Sequence, residues 1–174
     1  YQLPTEAQWE YACRAGTKTT FSFGDSLSSR QANFNGNYPY GGAAKGTYLE
    51  KTVEVGSYAA NAWGFHDMHG NVWEWCADWY GDYPTGAARD PVGPADGSLR
   101  VRRGGSWGSD GANLRSAERH ANAPSRCNDY LGFRVGFKEV PDTVAPLLQL
   151  QGGAVYAHEA GQPWAEPGVA AHDA

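Results

Sequence analysis

The sequence predicts an α+β fold that is rich in loops and poor in regular secondary structure. Three observations point there. One clear helix-start signal lies near the N-terminus, a handful of short stretches alternate as strands do, and glycine, proline, asparagine and aromatic residues fill the rest. The 174 residues hold 23 glycines and 10 prolines, with 13% aromatic and only 19% charged residues. That composition describes a compact, turn-rich chain whose aromatics supply the burial, not a disordered one.

Thr5-Glu6-Ala7-Gln8 fits a capping box, with Thr5 as N-cap and Gln8 reaching back. A short helix through about Arg14 follows, stopped by Gly16. Trp9, Ala12 and Cys13 fall on one face at helical spacing and are expected in the core. Glu6 and Glu10 are expected on a solvated face, Glu6 being favourable at the positive end of the helix dipole. Residues 17–56 are dense in Asn, Gly and Tyr, which predicts a packed loop. Within it, Val53 and Val55 alternate in a short strand over Lys51–Tyr58.

The most informative stretch runs from Trp63 to Cys76. Trp73 and Trp75 alternate with Val72 and Glu74, as in a strand with one buried face. Gly70-Asn71 predicts a tight turn, since both residues tolerate positive φ. Asp67 and Glu74 flank that turn. Two carboxylates around free backbone carbonyls can cage a hard cation, with Asp67, Gly70, Val72 and Glu74 as calcium ligands. The alternative is that Asp67 caps the turn and Glu74 pairs with an arginine. His66 and His69 would form a metal pair only on a helix, which the turn argues against. Further along, 83–97 is a surface loop, and Leu99–Arg103 alternates into a strand ending at Gly104-Gly105. Its three arginines point to internal ion pairs more than to anion binding. Phe133, Val135 and Phe137 predict a last core strand.

The formal charge of −5 argues against a nucleic-acid partner, and no apolar run reaches membrane-spanning length. Cys13, Cys76 and Cys127 form no C-x-x-C pattern and allow one disulfide at most. The chain opens in mid-motif without a methionine, as a fragment would.

Leu3–Ala12, the central run, Arg103-Gly104-Gly105-Ser106-Trp107 and Gly132-Phe133-Arg134-Val135 stand in the order and spacing of one family. Residues 1–140 resemble the C-terminal portion of the formylglycine-generating enzyme (sulfatase-modifying factor) domain. The resemblance implies a C-type-lectin-like fold and structural Ca²⁺ at Asp67, Gly70, Val72 and Glu74. It also implies a second calcium site using Asn33 and the carbonyl of Phe34, although that site's downstream aspartate is not evident near Lys45–Tyr48. Catalytic members carry two copper-binding cysteines after the Gly-Gly-Ser motif. Here that segment has no cysteine, and Ser109 stands at or near the first expected position. Thiolates suit Cu(I) and hydroxyls do not, so copper and formylglycine generation are not expected. Cys13 matches a cysteine that is disulfide-bonded in some members. Its partner position falls near Ser116, so Cys13 is expected to be a free core thiol.

The windows 108–113 and 120–131 are short, polar and mixed, and both are set between firm anchors. A rigid frame with permissive loops is the layout of a recognition surface. Ser106, Trp107, Ser109, Asp110 and Asn113 are its candidates on one side. Arg119, His120, Asn128 and Tyr130 are the candidates on the other. Variable proteins of diversity-generating retroelements, which share the fold, place diversified residues in this region. Residues 141–174 form a linker and resemble the opening of a bacterial immunoglobulin-like surface repeat, here a truncated all-β tail that is too short to fold alone.

The function expected is a binding or scaffolding module with a protein or glycan ligand, in a multidomain extracellular or periplasmic protein. One alternative is an oxidoreductase of the broader family whose catalytic metal groups lie outside this stretch. The other is a diversified ligand-binding protein.

Overall fold

The computed structural model describes residues 1–136 and the backbone of Leu147–Gln149 and Val155–Ala157. It divides into two compact units, Tyr1–Phe137 and Lys138–Ala174. In the second, β5 (Leu147–Gln149) and β6 (Val155–Ala157) pair antiparallel. The rest of the expected immunoglobulin-like repeat lies outside the described residues.

Helix α1 spans Glu6–Arg14 and starts as its sequence dictates. Thr5 Oγ1 accepts from the Gln8 amide at 3.2 Å, and Gln8 Oε1 accepts from the Thr5 amide at 3.0 Å. Ala15 turns left-handed at φ 46° and Gly16 follows at φ 85°, which ends the helix. Four strands form the sheet, in the order β3-β2-β1-β4. They are β1 (Trp73–Trp79), β2 (Arg100–Arg103), β3 (Arg119–Asn122) and β4 (Leu131–Gly132). β1–β2 and β2–β3 are antiparallel, whereas β1–β4 is parallel. At the unit's margin, Gln2 and Gly136 exchange two backbone hydrogen bonds of 2.9 Å.

One face of the sheet packs on α1. Trp9, Cys13, Met68, Cys76 and Val101 form that core. A second cluster of Phe21, Leu27, Ala32, Phe34 and Leu114 fills the space under the long loop. Long stretches without regular structure are therefore anchored by buried aromatics, as the composition predicts.

Several expectations are corrected. Glu6 is buried, not solvated. Its carboxylate takes both arms of Arg119 at 2.6 and 2.8 Å and the Tyr83 hydroxyl at 3.1 Å. Fully buried Arg103 lies over Trp9, bonds Glu10 and the Glu118 carbonyl, and approaches Glu6 at 3.5 Å. Charges drawn into the core must be paired there, and these are. Residues 51–58 form no strand: Val55 is exposed, and the Val53 amide is drawn to Asn71 Oδ1 at 3.0 Å. The last strand of the first unit is β4, earlier than the alternation suggests; Phe133 and Val135 are exposed, and Phe137 lies outside the described residues. β3 was hidden from sequence reading because Arg119–Asn122 carries no apolar alternation.

Glu6→Gln removes the charge shared by the enclosed Arg103 and the half-buried Arg119. It is expected to lower unfolding stability by about 3 kcal/mol, because a buried cation is then left uncompensated. Urea unfolding measures this, and an unchanged midpoint would count against the network's role.

Candidate functional site

The turn before β1 is built as its residues require. Gly70 and Asn71 take φ values of 87° and 64°. A Cβ on Gly70 would stand 2.3 Å from the Asn33 carbonyl oxygen, so only glycine fits there. Asn71 then ties three segments together. Its amide donates to Asn33 O at 2.8 Å, its Oδ1 accepts from Asn33 Nδ2 at 3.1 Å, and its carbonyl accepts from the Trp107 amide at 2.9 Å.

Asp67, Gly70, Val72 and Glu74 all line one cleft of about 450 Å³, together with His66 and Arg134. Asp67 Oδ2 accepts from the Gly56 amide at 2.7 Å. Glu74 is paired with an arginine, as the alternative reading has it. Arg134 donates to both of its oxygens at 2.6 Å, and Trp9 Nε1 donates to Oε2 at 2.6 Å. With two lone pairs per oxygen, Oε1 can accept one bond more. Asn33 Oδ1 is buried with no hydrogen-bond partner, whereas Phe34 is a core side chain.

The segment after β2 is held by its backbone. Gly104 and Gly105 adopt φ values of 92° and 75°. The Ser106 amide donates to Ser109 Oγ at 3.0 Å, and the two hydroxyls lie 3.1 Å apart. Ser109 O accepts from the Asn35 amide at 3.0 Å, fixing the loop to the long connection beneath it. Asp110 is the exposed N-cap of a 3-10 turn over Gly111–Leu114.

The structure brings most of the candidate ligand residues to one edge. The Trp107 ring stacks on Tyr48 at 6.4 Å, and its Nε1 donates to Asp129 O at 3.4 Å. Asn113 Nδ2 reaches His120 Nε2 at 3.5 Å, and the His120 ring lies 4.9 Å from that of Trp73. Tyr130 O accepts from the Trp73 amide at 2.8 Å, and Asn128 begins the turn that leads there. Arg119 is the exception. Alternation along β3 turns it to the opposite face from His120, where it pairs with Glu6 and lies between Tyr80 and Tyr83.

That opposite face opens into a cleft of about 930 Å³, lined by Glu6, Asp78, Tyr83 and Arg119 and walled by Pro91 and Pro94. Sequence reading missed Asp78, whose Oδ2 accepts from the Glu6 amide at 2.7 Å. Burial pushes its carboxyl above the usual range. The signal was present, because period two places it with Glu74 and Cys76.

Cys13, Cys76 and Cys127 are free, the first two buried. Burial raises the Cys13 thiol to about 12, and the Ser116 hydroxyl lies against it. His66 and His69 serve different partners: His66 Nδ1 meets Tyr58 O at 2.8 Å, and His69 Nδ1 donates to Leu114 O at 2.7 Å. His69 Nε2 accepts from the Ser22 amide at 3.1 Å and lies 3.6 Å from Cys13 Sγ. An acceptor on one side and a donor on the other fix the neutral, Nδ1-protonated ring. Burial lowers its pKa from 6.5 to about 4.

Residues 1–138 match the family described as the sulfatase-modifying factor enzyme 1-like domain. The chain is 43% identical over 138 residues to a serine/threonine-protein kinase pkn1 of Chlamydia caviae, covering 76% of this chain and 20% of that protein. It is 39% identical over 143 residues to a formylglycine-generating enzyme of Streptomyces coelicolor, covering 76% of this chain and 45% of the enzyme. The chain thus spans less than half the length of these relatives. Among solved structures, Treponema denticola variable protein 1 superposes with a TM-score of 0.61 at 35% identity, covering 76% of this chain and 45% of that one.

Because His69 is neutral when folded, its contribution is complete above pH 6.5 and is lost as pH falls from there toward 4. The expected loss approaches roughly 3 kcal/mol at the acid end. His69→Gln should flatten this limb of the stability–pH curve relative to wild type, and an identical slope in both proteins would exclude the assignment.

Proposed function

The chain belongs to the sulfatase-modifying factor enzyme 1-like family over residues 1–138, and on that basis we propose that it is a binding or scaffolding module that does not run the copper chemistry. One observation carries this reading. Between Gly105 and Arg115, where the family's copper thiols are expected, the chain has no cysteine, and Ser109 Oγ accepts from the Ser106 amide. Hydroxyls do not replace thiolates as Cu(I) ligands. The edge formed by Trp107, Asn113, His120 and Tyr130 is the surface on which a protein or glycan ligand would sit; Ser106, also a candidate from the sequence, is buried. The similarity to a stretch amounting to one-fifth of a kinase supports a module carried within larger proteins. An exported, multidomain setting is consistent with the surface-repeat resemblance of residues 141–174.

Structural Ca²⁺ belongs to this proposal. Asp67, the carbonyls of Gly70 and Val72, and Glu74 Oε1 share one cleft, and a cation there would brace the turn. At the second position, Asn33 Oδ1 is the buried acceptor without a partner and would supply a ligand beside the Phe34 carbonyl.

Two other readings each have a specific support. The first is an oxidoreductase completed by parts beyond this stretch. It draws on the relative named formylglycine-generating enzyme, of which 45% is matched. The second is a diversified ligand-binding protein. It draws on the 35% identity to a protein named variable protein 1. A template repeat and a reverse transcriptase at the locus would favour that last reading.

Calcium is expected to raise the thermal midpoint of wild type saturably and to leave Asp67→Asn unmoved; equal shifts in both proteins would exclude the site. Copper-loaded protein is expected to consume no oxygen with a cysteine-containing peptide, whereas a glycan and protein array should yield a ligand whose binding falls at least tenfold in Trp107→Ala. Copper-dependent turnover would overturn the binding-module reading.

A further inference from the structure

The cleft of about 930 Å³ beside Arg119 lies on the opposite face of the sheet from the edge around Trp107. One wall is the exposed side of α1, with Ala7 and Tyr11, and the other is the 83–97 loop. That loop is seated by close glycine contacts. A Cβ at Gly81 would stand 2.7 Å from Pro94 Cγ, and one at Gly93 would stand 3.0 Å from Asp78 Cβ. Tyr11 and Tyr83 line the groove and are largely exposed, and the Tyr11 ring is braced by Trp63 at 4.8 Å. Prolines, alanines and tyrosines thus wall a groove of ligand-binding size whose frame stands before anything enters it.

Four carboxylates line this groove, and two of them are matched. Glu6 is taken by Arg119 and Arg103, and Glu10 by Arg14 and Arg103. Asp82 is exposed and has neither a hydrogen bond nor an ion pair among the described residues. Asp78, deeper in the groove, accepts from the Glu6 amide, yet no guanidinium or ammonium among those residues comes within ion-pairing distance of it. Burial, with the Glu6 charge adding to it, holds the Asp78 carboxyl above its ordinary range against the pull of the Glu6 amide and Arg119. A purely apolar occupant would strip water from these carboxylates without supplying a partner, and an acidic one would be repelled. A basic side chain suits both parts of the groove: its methylene stem lies along the prolines while its cationic head meets the carboxylates.

We propose that the groove between α1 and the 83–97 loop docks a lysine or arginine side chain presented by a partner protein, with Asp82 and Asp78 as its counter-charges. Tyr11 and Tyr83 flank the cation and bury its stem, the role that tyrosine takes at protein interfaces. The net charge of −5 over the whole chain steers a basic partner toward this face. The groove is separate from the Trp107 edge, so its occupant is a second contact and not the ligand of that edge.

The test is an NMR titration with three end-blocked tripeptides, Gly-Lys-Gly, Gly-Arg-Gly and Gly-norleucine-Gly, at ionic strength matched with sodium chloride. The amides of Gly81 and Gly93 are expected to shift saturably with at least one basic peptide, and at least tenfold more weakly with the norleucine control. The Asp78 carboxyl should titrate at lower pH in the complex, because a bound cation favours its ionised form. Asp82→Asn, at an exposed position, should weaken binding severalfold, and Asp78→Asn should weaken it further. Should Asp78→Asn fail to fold, the Asp82 variant and the norleucine control still decide. Equal binding of all three peptides, or shifts that stay linear throughout, overturns the proposal. Spermidine binding more tightly than either basic peptide overturns the assignment to a protein partner.

Discussion

Everything in the first unit hangs from one enclosed guanidinium, a half-buried one beside it, and the helix that neutralises them. Arg103 is fully enclosed, and Glu6 and Glu10, one turn apart on α1, both face it. Arg119, from the next strand, closes on the same Glu6. A helix of nine residues has little stability of its own. Here it is fixed to β2 and β3 by charges that cannot return to water, so its position is decided by pairing and not by apolar area alone. The second tie is Glu74, which joins Trp9 on the helix to Arg134 beyond β4. Between them, these two carboxylate centres connect segments that are distant in the chain, with no disulfide among the described residues.

This explains why both faces of the central strand are enclosed at its start. Trp73 is buried on one side, yet Glu74, Cys76 and Asp78 are the side chains turned toward α1. Hydrophobic periodicity assumes that carboxylates seek solvent, and the assumption fails where arginines and helix amides are waiting inside. The same assumption put Glu6 and Glu10 on the surface. Local chemistry was legible with fewer errors. The capping box at Thr5 and Gln8, the Gly70-Asn71 turn and the Trp9–Cys13 core face follow from short-range rules that hold whatever the rest of the chain does. β3 and the early end of the last strand depend on partners far away, and no local pattern marks them.

The candidate site was legible to a similar degree. Residues grouped as two polar windows do meet, through Asn113 with His120 and Trp107 with Asp129. Arg119 was grouped with them because it is adjacent in sequence, although a one-residue step on a strand reverses the face. The cleft beside Asp78 went unseen because its walls come from three separated segments. Arg100, Arg102 and Arg103 likewise look alike in sequence, and only the packing shows that of these three Arg102 has no hydrogen-bond partner.

The reciprocal bonds between Gln2 and Gly136 bring the two edges of the unit side by side. Those two bonds clamp the lead-in to α1 onto the segment that leaves β4, so a pull transmitted through Gly136 loads this clamp before it reaches the carboxylate-tied sheet.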